Sequence, residues 1–363
     1  MRKVLILTVA ALLVIGAGTS YGEIPRQRDP VIPGEDFLNY PASVQIKLAQ
    51  AGYKFLSYPV GARPAALAGA YGTTTGDATS VFYNAAGLAF LKAGSGEAFG
   101  GYSQWLADIK YSWGGFAYNI NGVNAFGFGL LTVDNGTIQG TKVNTKATDD
   151  YELTSTFQLK EYAAMAAYAR KITDRFSIGL AFKVAHQDLG KGQVLDTFGK
   201  PATITNVGTT WAMDLGTYFN TGFRSVAIGV NVNNYGRSLD FQGAAFQLPR
   251  RVAMAFSFDL LTLANRPKES HKAMIRVDVE KPNDFTERAL VGAEYLFDSP
   301  KAPVGLRLRG GYRFNHDTES FSGGGGLVFQ NKAGRGVTLD YAYKRFNTNF
   351  FDAVQIVSGS VLF

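Results

Sequence analysis

Large apolar residues alternate with small or polar ones along most of the chain, from about residue 97 to Phe363. In the run 304–314, for example, Leu306 and Leu308 fall on one face, and Arg307 and Arg309 fall on the other. Successive side chains of a strand point to opposite faces, so the pattern predicts strands with one apolar and one polar face. A membrane barrel and a soluble sandwich both produce this alternation, so other features must distinguish them.

The alternating runs and the turn residues between them predict about fourteen strands. The predicted strands are 97–105, 109–120, 124–133, 157–170, 176–187, 208–220, 223–235, 250–260, 270–280, 286–297, 303–315, 320–331, 335–346 and 352–363. Bacterial single-chain barrels have an even number of strands, with short periplasmic turns and longer outer loops. Short turns such as Asn121-Gly122 alternate with long loops at 134–156 and 188–207, which puts the long loops outside the cell.

The amino terminus carries an export signal. Arg2 and Lys3 precede an apolar run from Val4 to Gly18, and the small-residue site Ser20-Tyr21-Gly22 follows. We expect a signal peptide, residues 1–22, that is cleaved near Gly22. The alternative is a short membrane anchor, but fifteen apolar residues are too few to span a bilayer comfortably.

Composition favours the membrane barrel among exported proteins. The chain has no cysteine, which excludes disulfides, thiolate metal sites and a lipid-modified cysteine, and its 42 Gly, 18 Tyr and 27 Phe suit a glycine-rich sheet with aromatic girdles. The formal net charge of +7 is spread along the chain, which suggests contact with anionic outer-membrane lipid and gives no case for nucleic acid. We interpret the terminal Phe363, on the apolar face of the last strand, as a barrel-closure signal.

The residues before the strands divide into two further segments. Residues 23–52 contain Pro25, Pro30, Pro33 and Pro41 among charges, and we expect a periplasmic N-terminal arm. Residues 53–96 are rich in glycine and alanine and could plug the lumen as a hatch, while residues 97–363 form the barrel. The expected fold is therefore all-β: an antiparallel transmembrane barrel of about 14 strands with an N-terminal hatch.

One stretch of this hatch resembles a known family. The run from Tyr58 to Leu91 is similar to the hatch of FadL-like barrels, and more closely to that of the PorV/PorQ family. The matching residues are Gly61, Ala62, Arg63, Gly69, Ala70, Tyr71, Asp77, Asn84, Gly87 and Leu88, whereas Ala85 stands where the family motif has proline. Later motifs at 247–250, 280–284, 310–314 and 339–343 also resemble the family in order. The resemblance covers roughly residues 53–363 and implies a fourteen-stranded outer-membrane barrel with an N-terminal hatch.

Charged and polar residues give two sets of candidate site residues. Within the hatch the candidates are Arg63, Asp77 and Asn84, and the Arg63–Asp77 pair is either a buried structural pair or part of a gate. The second set is a charge lattice on the inward face of three adjacent strands. Its members are Arg276, Asp278, Glu280, Glu294, Arg307, Arg309 and Arg313. Opposite charges on neighbouring strands cancel, which favours a structural lattice over a substrate path.

The sequence matches no catalytic or metal-binding template. It lacks G-x-S-x-G, a phosphate loop and H-E-x-x-H, and its three histidines have no ligand spacing, so we predict a non-enzyme without metal or cofactor. The resemblance implies a PorV-like component of type IX protein secretion, which would dock on a large translocon and receive an exported cargo protein. The alternative is a FadL-like passive channel for hydrophobic small molecules.

Overall fold

The structure is a computed structural model that describes residues 51–143, 151–195, 201–241, 244–266, 269–299, 301–316, 318–331, 334–347 and 351–363. Its strands are β1 (Ser95–Gln104), β2 (Lys110–Asn119), β3 (Asn124–Asp134), β4 (Ile138–Val143), β5 (Tyr151–Phe157), β6 (Lys160–Thr173), β7 (Phe176–Leu195), β8 (Pro201–Asn220), β9 (Ala227–Gly236), β10 (Leu239–Phe241), β11 (Ala244–Phe246), β12 (Arg251–Asp259), β13 (His271–Pro282), β14 (Arg288–Asp298), β15 (Val304–Phe314), β16 (Glu319–Gln330), β17 (Gly336–Phe346) and β18 (Val354–Leu362).

Helical segments are short. They are the α-helices α1 (Ala62–Ala66) and α2 (Leu260–Leu263) and the 3-10 helices Lys54–Ser57, Ala78–Phe82, Ala85–Phe90 and Leu106–Asp108. Within the described ranges, every helix is too short or too polar to cross a membrane.

Fourteen of the strands form one closed antiparallel barrel, as the alternation predicts. The order around the wall is β1-β18-β17-β16-β15-β14-β13-β12-β9-β8-β7-β6-β3-β2. β1 and β18 close the ring, with Glu97 opposite Leu362 and Gly101 opposite Ser358. Closure leaves no strand edge unpaired, as a lipid environment requires. The remaining strands form the separate hairpins β4–β5 and β10–β11.

The two faces of the wall differ as the sequence pattern predicts. On β7, Leu180 points outward and is 43% exposed, whereas the adjacent Ala181 points into the lumen and is fully buried. On β12, Met254 and Ala255 show the same contrast. The outward face is therefore apolar, and the inward face combines small residues with charges.

The barrel has a turn end and a loop end. At the turn end, β2 and β3 are joined by a tight turn at 120–123, and Phe363 pairs with Gly96. At the loop end lie the long connections between β3 and β6, between β7 and β8, and between β9 and β12. β7 and β8 each have 20 residues, and their pairing continues to Leu195 and Pro201, well beyond the predicted strands 176–187 and 208–220.

The hatch, defined here as residues 53–94, fills the lumen. Ala62, Leu67 and Leu88 are fully buried between hatch and wall. The segment has no alternation, and it changes direction at Gly61 and Gly69, whose φ angles of 101° and 89° suit glycine. β1 begins at Ser95, so the hatch ends two residues before the predicted boundary at 96.

Residues 51 and 52 are the part of the predicted periplasmic arm, residues 23–52, that the structure describes, and they lie at the loop end. Gly52 N donates to Gln247 O over 2.9 Å, and Lys54 Nζ lies 2.6 Å from Asp284 Oδ2. Both partners belong to connections at the loop end, so the described part of the arm lies opposite the end predicted to face the periplasm. The apolar–polar alternation locates the strands, but it does not show at which end of the barrel the residues before them enter the lumen. Residues 1–50, including the predicted signal peptide, lie outside the described residues.

Candidate functional site

An ion cluster joins the hatch to the wall in the middle of the lumen. Its members are Arg63, Asp77, Arg276, Glu294, Arg309 and Asp340. Arg63 Nη2 and Arg276 Nη1 each lie 2.9 Å from Glu294 Oε2. Arg309 Nε lies 2.7 Å from Glu294 Oε1, and its Nη1 lies 2.5 Å from Asp340 Oδ1. Three arginines thus face three carboxylates, and this balance offsets part of the cost of burying the charges.

Asp77 is the hatch carboxylate of this cluster. Its Oδ2 accepts from Arg63 Nη1 over 2.8 Å and from the Tyr71 hydroxyl over 2.6 Å. Its Oδ1 accepts from Thr79 N over 2.8 Å and caps the 3-10 helix Ala78–Phe82. Burial alone would raise the pKa of Asp77, but the Arg63 guanidinium and the hydrogen bonds from Thr79 and Tyr71 hold it below its usual range. The surroundings of Asp77 therefore favour its ionised form.

Wall side chains satisfy much of the hatch backbone. Asp278 Oδ2 accepts from Tyr71 N over 3.0 Å and from Gly72 N over 2.8 Å. Arg313 Nε donates to Ala68 O over 2.8 Å. A segment with little regular structure leaves many backbone groups unpaired, and these contacts replace the missing ladder partners. The hatch is thus held by the wall as much as by its own helices.

Asn84 ties the hatch to the opposite side of the wall. Its Nδ2 donates to Gly72 O over 2.7 Å and to Thr217 O of β8 over 2.9 Å, and its Oδ1 accepts from Ala86 N over 3.2 Å. A side chain at Gly216 would collide with Asn84 Oδ1. The glycine on the wall is what allows the Asn84 side chain to lie against it.

The residues of the predicted charge lattice take part in several separate contacts. Arg276, Glu294 and Arg309 share the ion cluster, whereas Asp278 binds hatch backbone. The other members have partners outside the predicted set. Glu280 pairs with Arg251, Arg307 pairs with Asp298, and Arg313 pairs with Glu319. Asp340, Glu319 and Lys344 belong to these contacts but were absent from the predicted set. Asp340 and Lys344 alternate with Leu339, Tyr341 and Tyr343 on β17, and that alternation could have revealed them.

A cavity of about 790 Å³, the outer cavity, opens at the loop end. Its aromatic lining residues include Tyr53, Phe55, Tyr58, Trp105, Tyr111 and Phe285. The rings of Tyr58 and Tyr111 stack at 3.8 Å, and Trp105 meets Tyr58 edge-on at 5.3 Å. The volume and the aromatic lining are typical of a small-molecule site.

A second group of charges lies in the outer cavity. Glu319 Oε2 lies 2.6 Å from Arg313 Nη1 and 2.5 Å from Lys344 Nζ. Arg288 also lines the cavity, with its guanidinium 4.4 Å from the Phe285 ring centroid. His316 lies between β15 and β16, and its pKa is lowered to about 3 by burial and by nearby Arg313, Arg288 and Lys344, despite the opposing effect of Glu319. Its imidazole is therefore neutral, chiefly because burial disfavours the charged form.

Two smaller cavities lie deeper in the described part of the lumen than the outer cavity. A narrower cavity of about 110 Å³ shares Tyr58, Arg288 and Arg313 with it and runs between hatch and wall. A separate cavity of about 220 Å³ lies towards the turn end, lined by Arg63, Asp77 and Asp340 among others. Within the described chain, the hatch and its ion cluster lie between the outer cavity and this one, an arrangement that we call the closed state.

Among the residues that the structure describes, there is no group of three or more histidine, aspartate or glutamate side chains that could hold a metal ion. The ion cluster contains arginines against every carboxylate, and such a site repels cations. The histidines lie apart, with His186 beside Thr209 and His271 beside Tyr295.

Comparison with known proteins identifies the fold. Protein-family models gave no match, and a search of curated proteins gave none either. Among solved structures, a Pseudomonas aeruginosa FadL homologue aligns at TM-score 0.53 and 11% identity, covering 84% of this chain and 98% of that one. The toluene transporter TbuX of Ralstonia pickettii aligns at 0.53 and 12%, covering 83% and 96%. The toluene transporter TodX of Pseudomonas putida aligns at 0.53 and 10%, with the same coverage.

These matches show a FadL-like barrel fold. Sequence identities of 10–12% support a similarity of fold and nothing more. The expected absence of catalysis stays a prediction. A closed barrel of fourteen antiparallel strands with an apolar outward face is the architecture of bacterial outer-membrane proteins. The narrower resemblance to the PorV/PorQ family stays a prediction.

Proposed function

We propose that the protein is an outer-membrane channel for hydrophobic small molecules, which enter through the outer cavity and leave when the hatch moves. The observation that carries this proposal is the aromatic outer cavity, which narrows inward between hatch and wall. Aromatic rings bury apolar surface well, so such a cavity would concentrate apolar solutes. The likeness to toluene transporters favours this function over the type IX role.

Passage in this proposal requires the hatch to shift from the closed state. Arg63 and Asp77 lie between the outer cavity and the cavity towards the turn end, so the contacts of Arg63 with Asp77 and Glu294 must change before a solute can pass. The charges would then serve as a lock on the hatch, while the outer cavity selects the solute. This assignment gives the predicted Arg63–Asp77 pair a gating role.

A reversible disulfide across the hatch–wall contact tests the proposal. Ala62 N lies 3.1 Å from Ser358 Oγ, so cysteines at these two positions are close, and the chain has no other cysteine. We expect cells with the A62C/S358C variant to take up radiolabelled toluene only after addition of reductant. The single variants A62C and S358C, which cannot form the bond, should transport with and without reductant.

The secretion role predicts a different outcome. Cells without the protein would take up toluene normally but would accumulate exported cargo protein in the periplasm. That pair of results would contradict the channel proposal and favour the PorV-like role. Equal transport by the oxidised and reduced double variant would contradict hatch movement, provided that the disulfide is shown by mass spectrometry.

A further inference from the structure

Three neighbouring connections at the turn end each expose an arginine and a large apolar residue. They join β6 to β7, β8 to β9, and β12 to β13, and they follow one another around the wall because β7 pairs with β8 and β9 pairs with β12. The exposed apolar residues are Ile172, Phe223 and Leu260, at 51%, 48% and 47%, and the exposed arginines are Arg175, Arg224 and Arg266. We call these six residues the turn-end patch.

Contacts between the connections make the patch one surface. Asn220 N donates to Arg175 O over 2.7 Å. A side chain at Gly222 would collide with the Arg175 guanidinium, which therefore lies against the connection between β8 and β9. Ser225 Oγ donates to Asp259 O over 3.2 Å and accepts from Asp259 N over 2.8 Å, which joins that connection to the next one. The three arginines of the patch are thus held on a continuous rim.

This rim is basic. Within 170–175, 221–226 and 259–272, the described basic residues are Arg170, Lys171, Arg175, Arg224, Arg266 and Lys272, and the described acidic residues are Asp174, Asp259 and Glu269. Asp259 is buried and its side chain caps α2. The three arginines of the patch have no ion-pair partner among the residues that the structure describes. Their charges are therefore free to meet an anion from outside the chain.

The patch lies at the edge of the lipid-facing wall. Arg170 near the end of β6 points outward, since the adjacent Ala169 is fully buried in the lumen. On the same outward face, the Tyr168 ring lies 5.1 Å from that of Phe126, and rings of this kind mark the interface between bilayer and water. A long arginine side chain keeps its stem on apolar surface and its guanidinium among polar groups. Arg170 therefore puts the patch at the level of the lipid headgroups.

We propose that the turn-end patch binds anionic phospholipids of the bilayer leaflet around it. Guanidinium groups form paired hydrogen bonds with phosphate, so the three arginines hold headgroup phosphates, while the three apolar residues contact the adjoining part of the acyl chains. A soluble acidic protein would meet the arginines but would leave apolar residues at a lipid-facing edge without a role. The proposal does not depend on the channel function, because the patch lies outside the lumen.

Two lipids with the same acyl chains test the charge requirement. Dioleoyl phosphatidylglycerol is anionic, and dioleoyl phosphatidylcholine is zwitterionic. Each would be titrated into the full-length protein in neutral maltoside micelles, and the bound lipids would be counted by native mass spectrometry. We expect phosphatidylglycerol to bind more tightly and to lose affinity as the ammonium acetate concentration rises, while the binding of phosphatidylcholine stays unchanged.

Charge-removing variants locate the lipid. Each basic residue near an anionic lipid contributes a factor of about five, so R175Q/R224Q/R266Q should weaken phosphatidylglycerol binding on the order of a hundredfold. R237Q/R250Q/R345Q is the matched control, because it removes three exposed arginines at the loop end and should leave the binding unchanged. A heat-modifiable band on gels would show that both variants fold.

Other results would overturn the proposal. Equal binding of the two lipids, or an equal loss in the two triple variants, would mean that the patch has no preference for anionic lipid. Displacement of phosphatidylglycerol by an equal concentration of inorganic phosphate would mean that the patch recognises phosphate without its lipid. Binding of poly-glutamate by protein that rejects phosphatidylglycerol would assign the patch to an acidic protein.

Discussion

Arg63 connects the hatch to the wall through two carboxylates that are far apart in sequence. It contacts Asp77 within the hatch and Glu294 on β14, and Glu294 is fully buried. The balance of charges depends on each member, because removing one cation leaves a buried anion without compensation. Single substitutions in this cluster should therefore have effects that exposed ion pairs do not show.

We expect Arg63→Gln to destabilise the folded protein by about 3–5 kcal/mol and to raise ion conductance through the lumen. The measurements are guanidinium unfolding in lipid vesicles and planar-bilayer conductance. Lys281→Gln is the control, because the Lys281–Glu287 pair is exposed on both sides, at 54% and 64%, and such pairs contribute at most about 1 kcal/mol. Equal losses in the two variants would argue against the cluster as a lock.

A pair of glycines tests the contact between Asn84 and the wall. A methyl group at Gly216 would collide with Asn84 Oδ1, whereas one at Gly310 meets no described atom within 4 Å. We expect Gly216→Ala to cost about 1–3 kcal/mol through overpacking and Gly310→Ala to be nearly neutral. Thermal gel-shift midpoints would compare them, and similar midpoints would mean that the Asn84 side chain can relocate without cost.

At the scale of elements, the sequence predicts the strands that lie in the wall and little else. β12, β15 and β17 match their predicted bounds within one or two residues. Apolar and polar residues alternate along a strand when its two faces meet different surroundings, as they do in the barrel wall. β7 and β8 continue to Leu195 and Pro201 through polar residues, where that contrast is lost. The alternation of apolar and polar residues therefore could not reveal these extensions of β7 and β8.

The hatch was predicted as a segment but not as a conformation. Its contacts join residues far apart in sequence, such as Arg63 with Glu294 and Asn84 with Thr217. The sign of a charge and its inward position can be read from a strand pattern, but the register between distant strands decides which charges meet. For this reason the inward positions of Glu294 and Arg309 were predictable, and their shared contact was not.

The long connections give a prediction of orientation. Leu153 lies on the β4–β5 hairpin at the loop end and is 66% exposed, and Val123 lies in the β2–β3 turn at the other end and is 37% exposed. The chain has no cysteine, so L153C and V123C each introduce one reactive thiol. We expect a membrane-impermeant maleimide to label only L153C in intact cells and both variants after permeabilisation. Labelling of V123C alone in intact cells would reverse the orientation.

At the scale of the whole molecule, the apolar outer face requires lipid around it. Leu180 is exposed on the part of β7 that pairs with β6, and Ala181 beside it is buried in the lumen. An arginine at Leu180 should destabilise the barrel by about 2–4 kcal/mol if it meets the bilayer midplane. Ala181→Arg should instead crowd the hatch without blocking membrane insertion. Unfolding in vesicles and membrane fractionation would separate the two effects, and identical behaviour would contradict the assignment of the faces.

The pairing of β1 with β18 closes the barrel. Gly96 N donates to Phe363 O and Phe363 N donates to Gly96 O, both over 2.9 Å, so the final residue completes the pairing of β1 with β18. Deletion of residues 354–363 would leave β1 and β17 with unpaired backbone groups in lipid, where each costs several kcal/mol. We therefore expect the truncated chain to lose its heat-modifiable band on denaturing gels.

A matched change outside the ring provides the control for this deletion. Replacement of residues 138–157 by a short Gly-Ser linker removes the β4–β5 hairpin, which pairs with no barrel strand in the described structure. Asp134 and Lys160 face each other where β3 meets β6, so a short linker can join them. This variant should keep the heat-modifiable band, because the fourteen-stranded ring is intact. A compact, heat-resistant band from the chain without residues 354–363 would mean that strands other than β1 and β18 can close the barrel.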